Sequence, residues 1–220
     1  MKKTTAYKTD PRAVSPTRGQ ALANSLTHGI GALLSVAGIV FLALRAARRG
    51  TGWHLAGFLV FGFSLFLLYL ASAAYHSAGH EPWKALLQRL DHAAIFVLIA
   101  GTYTPFIFTQ MRDGLGWAVF GIIWAAAILV LVLKLALRKG FEKPPVALYL
   151  AAGWLGVVVL FQTIGKIGAA SLWLLLAGGI FYSAGVIFYR WRNLPYNHAV
   201  WHIFVLLGSA SHYFSVMYLA

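Results

Sequence analysis

His198 and His202 stand four residues apart, and so do Ser72 and His76. Residues four apart on a helix project from one face, so each pair presents both side chains to a common neighbour. Two imidazoles on one face supply two nitrogens to a metal ion, and His76 supplies a third if its helix packs alongside. Three histidines bind zinc and leave the fourth tetrahedral position open for water, the pattern of a catalytic site. Zinc lowers the pKa of such a water. A carboxylate nearby takes the proton, and Asp91 is the only acid inside the apolar segments of the chain. The Ser72 hydroxyl then orients the water or the substrate.

Each residue also has a plainer reading. A membrane histidine such as His76 is often simply hydrogen-bonded to a neighbour. Asp91 opens an apolar segment, where an acid serves as a helix N-cap. Ser72 by itself bonds back to its own helix. His80, four after His76, is the rival ligand, but it stands beside the helix-ending Pro82. His54 lies at the far end of its segment. His212 follows His202 by ten residues, about 15 Å along a helix, too far to share an ion. His92 points about 100° away from Asp91. His28, with Asn24 four residues before it, reads as support for the site or as structural.

The elements that must position these groups are membrane helices. Of 220 residues, 60% are hydrophobic and 10% charged, against about 25% charged in soluble domains. A soluble fold of this length has nowhere to hide so much apolar surface. Crossing the hydrocarbon core takes about 20 apolar residues. Seven segments qualify: 26–44, 53–75, 91–109, 115–137, 146–164, 169–189 and 196–219. The fold expected is therefore all-α, a polytopic seven-transmembrane-helix bundle over residues 19–220, preceded by a disordered polar tail at 1–18. Pro82 ends the second span.

Successive spans alternate in direction. The end of span 2, the start of span 3 and the start of span 7 thus share one layer of the membrane, which brings His76, Asp91, His198 and His202 together. Lys and Arg mark the cytoplasmic side. The tail and loops 2–3, 4–5 and 6–7 carry thirteen: Lys2, Lys3, Lys8, Arg12, Arg18, Lys84, Arg89, Lys134, Arg138, Lys139, Lys143, Arg190 and Arg192. The opposite side carries five: Arg45, Arg48, Arg49, Arg112 and Lys166. The N-terminus is expected in the cytoplasm and the C-terminus outside. Loop 1–2, with three of those five, runs against the trend.

Several functions are excluded. The net charge of +13 suggests nucleic-acid binding, but the cations flank apolar segments instead of lining a soluble helix. There is no cysteine, hence no disulfide, thiolate metal site or cysteine nucleophile. Polar residues follow Lys2 and Lys3, so the apolar run of a cleaved signal peptide is missing and the first span is expected to be retained. Gly29-Ile30-Gly31 has no strand before it and is no dinucleotide fingerprint. No phosphate-binding loop, nucleophile elbow or internal repeat is present.

The motifs Asn24-Ser25-Leu26-Thr27-His28-Gly29, Ser72-Ala73-Ala74-Tyr75-His76, Leu90-Asp91-His92 and His198-Ala199-Val200-Trp201-His202 resemble the hemolysin III proteins of bacteria, which belong with the progestin and adipoQ receptors, the adiponectin receptors among them. The resemblance runs from about Gly19 to the end. It implies a seven-helix bundle with a cytoplasmic N-terminus and an intramembrane zinc near the cytoplasmic face. It maps three ligands onto His76, His198 and His202, the water-holding acid onto Asp91 and the accompanying serine onto Ser72. Where the family often has an acid shortly before the asparagine, this chain has Gln20 and Ala21. The large soluble tail of the receptor members is missing, so hormone sensing is not expected. The expected function is zinc-dependent hydrolysis of a ceramide-like lipid amide in membrane-lipid homeostasis, in a bacterial inner membrane, with membrane lipids as partners and no nucleic acid. Two other classes stay open: a receptor or channel-like protein with structural zinc, and a cytolytic protein, for which these continuous spans offer no soluble form.

Overall fold

A computed structural model of the chain describes residues 16–79, 83–137 and 146–220. Among them are eight helices and no strand: α1 (Arg18–Arg49), α2 (Gly52–Ser77), α3 (Trp83–Gln110), α4 (Gly114–Ala136), α5 (Val146–Trp154), α6 (Gly156–Thr163), α7 (Ala169–Arg190) and α8 (Asn197–Met217). With α5 and α6 taken as one, seven segments are long and apolar enough to cross a membrane, as the hydropathy pattern predicts. Residues 1–15, His80, Pro82, Arg138, Lys139 and Lys143 lie outside the described residues, and with them most of the expected tail, the rival ligand and part of loop 4–5; the last residues of that tail are ordered instead, Thr17 capping α1 and Arg18 opening it.

Two helices start earlier than their apolar runs. At α1 the Thr17 side chain accepts from the Gln20 amide at 3.3 Å, while the Gln20 side chain accepts from the Thr17 amide at 2.9 Å. This reciprocal cap starts the helix at Arg18, two turns ahead of Leu26. The third span begins at Trp83, because the amphipathic stretch holding Lys84 and Arg89 is itself helical. Asp91 therefore lies two turns inside α3, and the N-cap reading of this residue is set aside.

The fifth span is not the continuous helix expected for 146–164. It breaks at Leu155, between α5 and α6. The Tyr103 hydroxyl of α3 donates to the Ala152 carbonyl at 2.6 Å and to that of Gly153 at 2.5 Å. These are the carbonyls that the amides of residues 156 and 157 would use in an unbroken helix. Gly156 makes room for the intruding ring: a β-carbon there would stand 2.8 Å from a Tyr103 ring carbon. Broken helices are tolerated at membrane depth when other groups satisfy the freed backbone, as here.

The helices form a ring in the order α1, α2, α3, α5–α6, α7, α8, which closes by packing α8 on α1; α4 packs on the outside of α3. The α3 helix is the most deeply enclosed. Large apolar side chains such as Leu33, Ile122, Phe161 and Trp173 face outward, where lipid, not water, receives them. Close approach inside depends on small residues, as is usual between membrane helices. A β-carbon on Gly57 of α2 would lie 2.8 Å from Cα of Pro105 in α3, a backbone atom that cannot swing away. Gly57→Leu should therefore destabilise the bundle by about 1–3 kcal/mol, the usual cost of overpacking. Gly121→Ala, at an α4 position with open space around it, should not. Thermal unfolding of the two proteins in detergent checks the contrast.

Candidate metal centre

Three helix ends meet in one membrane layer. The last turns of α2 bring Ser72 and His76, the first turns of α8 bring His198 and His202, and the start of α1 brings Asn24, Thr27 and His28. One nitrogen from each of His76, His198 and His202 lies within 4.8 Å of the others, a group that could hold a metal ion. Nε2 of His198 is 3.2 Å from Nε2 of His76. Two nitrogens bound to one tetrahedral zinc at 2.0–2.1 Å would be about 3.3 Å apart, so this pair is already spaced for a shared ion.

The hydrogen bonds of His202 fix its tautomer. Its Nδ1 lies 3.1 Å from the Asn24 carbonyl and 3.0 Å from the Thr27 hydroxyl oxygen. The Thr27 hydroxyl gives its own proton to the carbonyls of Ala23 and Asn24, both at 2.9 Å. Both neighbours of Nδ1 are thus acceptors. The proton must sit on Nδ1, which leaves the Nε2 lone pair for a metal. A carbonyl behind a histidine is the usual outer support of a metal ligand. The His28 ring stacks on His202 with centroids 3.5 Å apart and planes 12° from parallel, so it backs His202 without joining the group of three. Thr27→Val keeps the shape and removes one acceptor. It should weaken zinc binding about 10–100-fold, the usual cost of an outer-shell loss, as read by competition with a chelating dye.

Ser72 is buried one turn before His76. Ser72 and Asp91 line the same cavity as the three histidines, so all five residues expected to act together border one space. That cavity measures about 670 Å³ and runs inside the ring from Asn24 and His76 to Leu175 and His212. Its walls include Leu98, Ile99, Leu160, Leu176 and Val205, and the break in the fifth span opens onto it through Gly153 and Gly156. A pocket of this size with a mostly apolar lining is the usual form of a small-molecule site.

Among the described residues, the other histidines fall outside the group of three. The Nδ1 of His54 accepts from the Thr51 amide at 3.1 Å, and its Nε2 reaches the Leu219 carbonyl at 3.0 Å, pinning the C-terminal end to α2. His212 bonds the Leu175 carbonyl at 3.0 Å, deep in the cavity. His92 borders the cavity beside Asp91. Sequence reasoning gave Thr27 no role. Its signal was available: it lies three residues after Asn24 on the face that presents His28.

Comparison with known proteins agrees with this architecture. Residues 19–213 match the family described as Haemolysin-III related. The chain is 43% identical over 199 residues to the Hemolysin-3 homolog of Bacillus subtilis (strain 168), covering 90% of this chain and 93% of that protein. It is 44% identical over 199 residues to Hemolysin-3 of Bacillus cereus, covering 90% and 91%. A more distant likeness, 26% over 209 residues, links it to the monocyte to macrophage differentiation factor of Homo sapiens, covering 91% of this chain and 84% of that protein.

Proposed function

The chain belongs to the haemolysin-III-related family of multi-pass membrane proteins, and on that premise we propose that it is a zinc-dependent hydrolase of lipid amides, of the ceramide-like class, that serves membrane-lipid homeostasis. One observation carries this reading: three histidines suited to a metal stand at one end of an apolar cavity that Asp91 and Ser72 also line. A staple needs no such cavity. A lipid hydrolase needs both a polar reacting end and a dry channel for acyl chains.

His76, His198 and His202 would hold the zinc. When bound there, zinc supplies a Lewis acid for a carbonyl and lowers the pKa of water toward neutrality. Asp91 takes the proton of the attacking water as general base and returns it to the departing amine. Ser72 donates its hydroxyl proton to orient the carbonyl oxygen. The carbon–nitrogen bond breaks, and a fatty acid and an amine leave. The apolar wall around Leu160 and Leu176 holds the acyl chain and keeps bulk water away.

The protein sits in a bacterial inner membrane with the N-terminus cytoplasmic and the C-terminus outside, which the thirteen-to-five distribution of Lys and Arg supports. The metal centre is then in the cytoplasmic leaflet. Reporter fusions at Ala220 should be active only outside the cytoplasm; activity inside alone would reject the orientation. The function itself is tested by measuring the zinc content of the purified protein and fatty-acid release from a panel of lipid amides and esters. Stoichiometric zinc with release from amides is expected. Stoichiometric zinc with no release from any lipid would leave the metal a structural role and remove the hydrolase.

A further inference from the structure

The arginines that break the charge trend have a structural setting. Arg45, Arg48 and Arg49 occupy the last turns of α1. From residue 28, beside the histidine centre, to residue 45 the helix rises about 25 Å, so this cluster lies at the opposite membrane face. With Phe41, Leu44 and Met217 the three arginines line a second cavity of about 410 Å³ between the ends of α1 and α8. Phe41 and Leu44 are exposed at the rim, where they meet lipid.

Three guanidinium groups at spacings of three and four crowd one helix end and repel one another. Part of that charge is offset by the helix C-terminus, but its dipole amounts to about half a negative charge against three positive ones. Among the described residues none of the three has an ion pair or a side-chain hydrogen bond, and Nε of Arg45 is buried without a hydrogen-bond partner. Other cations predicted on this face are satisfied within the protein: Arg112 sits 5.5 Å over the Trp53 ring, and Lys166 donates to the Gln110 carbonyl at 3.2 Å. Among the described residues no acidic side chain pairs with the arginine cluster, and its groove has an apolar side.

We propose that Arg45, Arg48 and Arg49 form a binding site for the phosphate of an anionic phospholipid in the leaflet opposite the metal centre, with its acyl chains lying along Phe41 and Leu44. Guanidinium forks match phosphate oxygens in pairs, and basic side chains at a membrane surface attract anionic lipid. The site accounts for cations kept where the topology rule disfavours them. It stands whether or not the protein hydrolyses lipids.

Native mass spectrometry of the purified full chain tests this, with phosphatidylglycerol and phosphatidylcholine of identical acyl chains as probes. The wild-type protein should retain phosphatidylglycerol at least tenfold better than phosphatidylcholine. The triple variant Arg45→Gln, Arg48→Gln, Arg49→Gln should lose that preference, and the triple Arg→Lys variant, which keeps charge but not the fork, should fall between. Removing these arginines strengthens the charge asymmetry that orients the chain, and thermal unfolding of each variant confirms that it is folded. Equal retention of phosphatidylglycerol by the wild-type and Gln proteins would overturn the proposal. Displacement of the lipid by millimolar inorganic phosphate would assign the site to a free anion and also overturn it.

Discussion

Asp91→Asn should leave the protein folded and its zinc in place, yet lower lipid-amide hydrolysis by about 10²–10⁴-fold, the usual contribution of a general base. The substitution is nearly isosteric, and Asp91 lies two turns inside α3 instead of at its end, so no helix cap is lost with the charge. Asp91 is not among the three groups that converge on the metal position, so the metal should survive its neutralisation. The measurement is the single-turnover rate of fatty-acid release at saturating zinc. A rate equal to the wild type would remove Asp91 from the chemistry, because an amide side chain cannot take up a proton at neutral pH.

The second large effect concerns the proposed ligands. His76→Ala, His198→Ala and His202→Ala should each abolish stoichiometric zinc binding, a loss greater than the 10–100-fold expected when only an outer partner such as Thr27 is removed. Their three nitrogens lie within 4.8 Å of one another, and with one missing only two protein ligands remain. His54→Ala and His212→Ala are the controls, since those rings bond the Leu219 and Leu175 carbonyls elsewhere. Full occupancy in the His198→Ala protein would show that the ion is held by other residues, with His80 the first to test.

Much of the layout is legible in the chain because hydropathy dictates it. The seven spans follow from apolar length, and alternation of direction is enough to bring His76, Asp91, His198 and His202 to one membrane layer before any coordinate is known. What escaped has physical reasons. The first turns of α3 carry Lys84, Gln88 and Arg89, so a search for apolar runs starts that helix too late. The break at Leu155 sits in an uninterrupted apolar stretch. Its cause, the Tyr103 hydroxyl, comes from about fifty residues away in sequence, and the flanking Gly153 and Gly156 are a weak local sign. The carbonyl of Asn24 behind His202 could not be foreseen, since every residue has a carbonyl and only packing selects one. The start of α1 is a different case. Thr17 and Gln20 carry the capping-box spacing, and the helix could have been extended to Arg18 from the sequence.

The most direct test of the metal centre is X-ray absorption at the zinc edge on the purified protein, with zinc content measured on the same sample. One zinc per chain is expected, with three imidazole nitrogens at about 2.0–2.1 Å and one further light ligand at the open position. The imidazole signature should disappear, with the zinc, in the His202→Ala protein. A stoichiometric zinc whose surroundings contain no histidine, or one that His202→Ala leaves unchanged, would contradict the assignment of His76, His198 and His202.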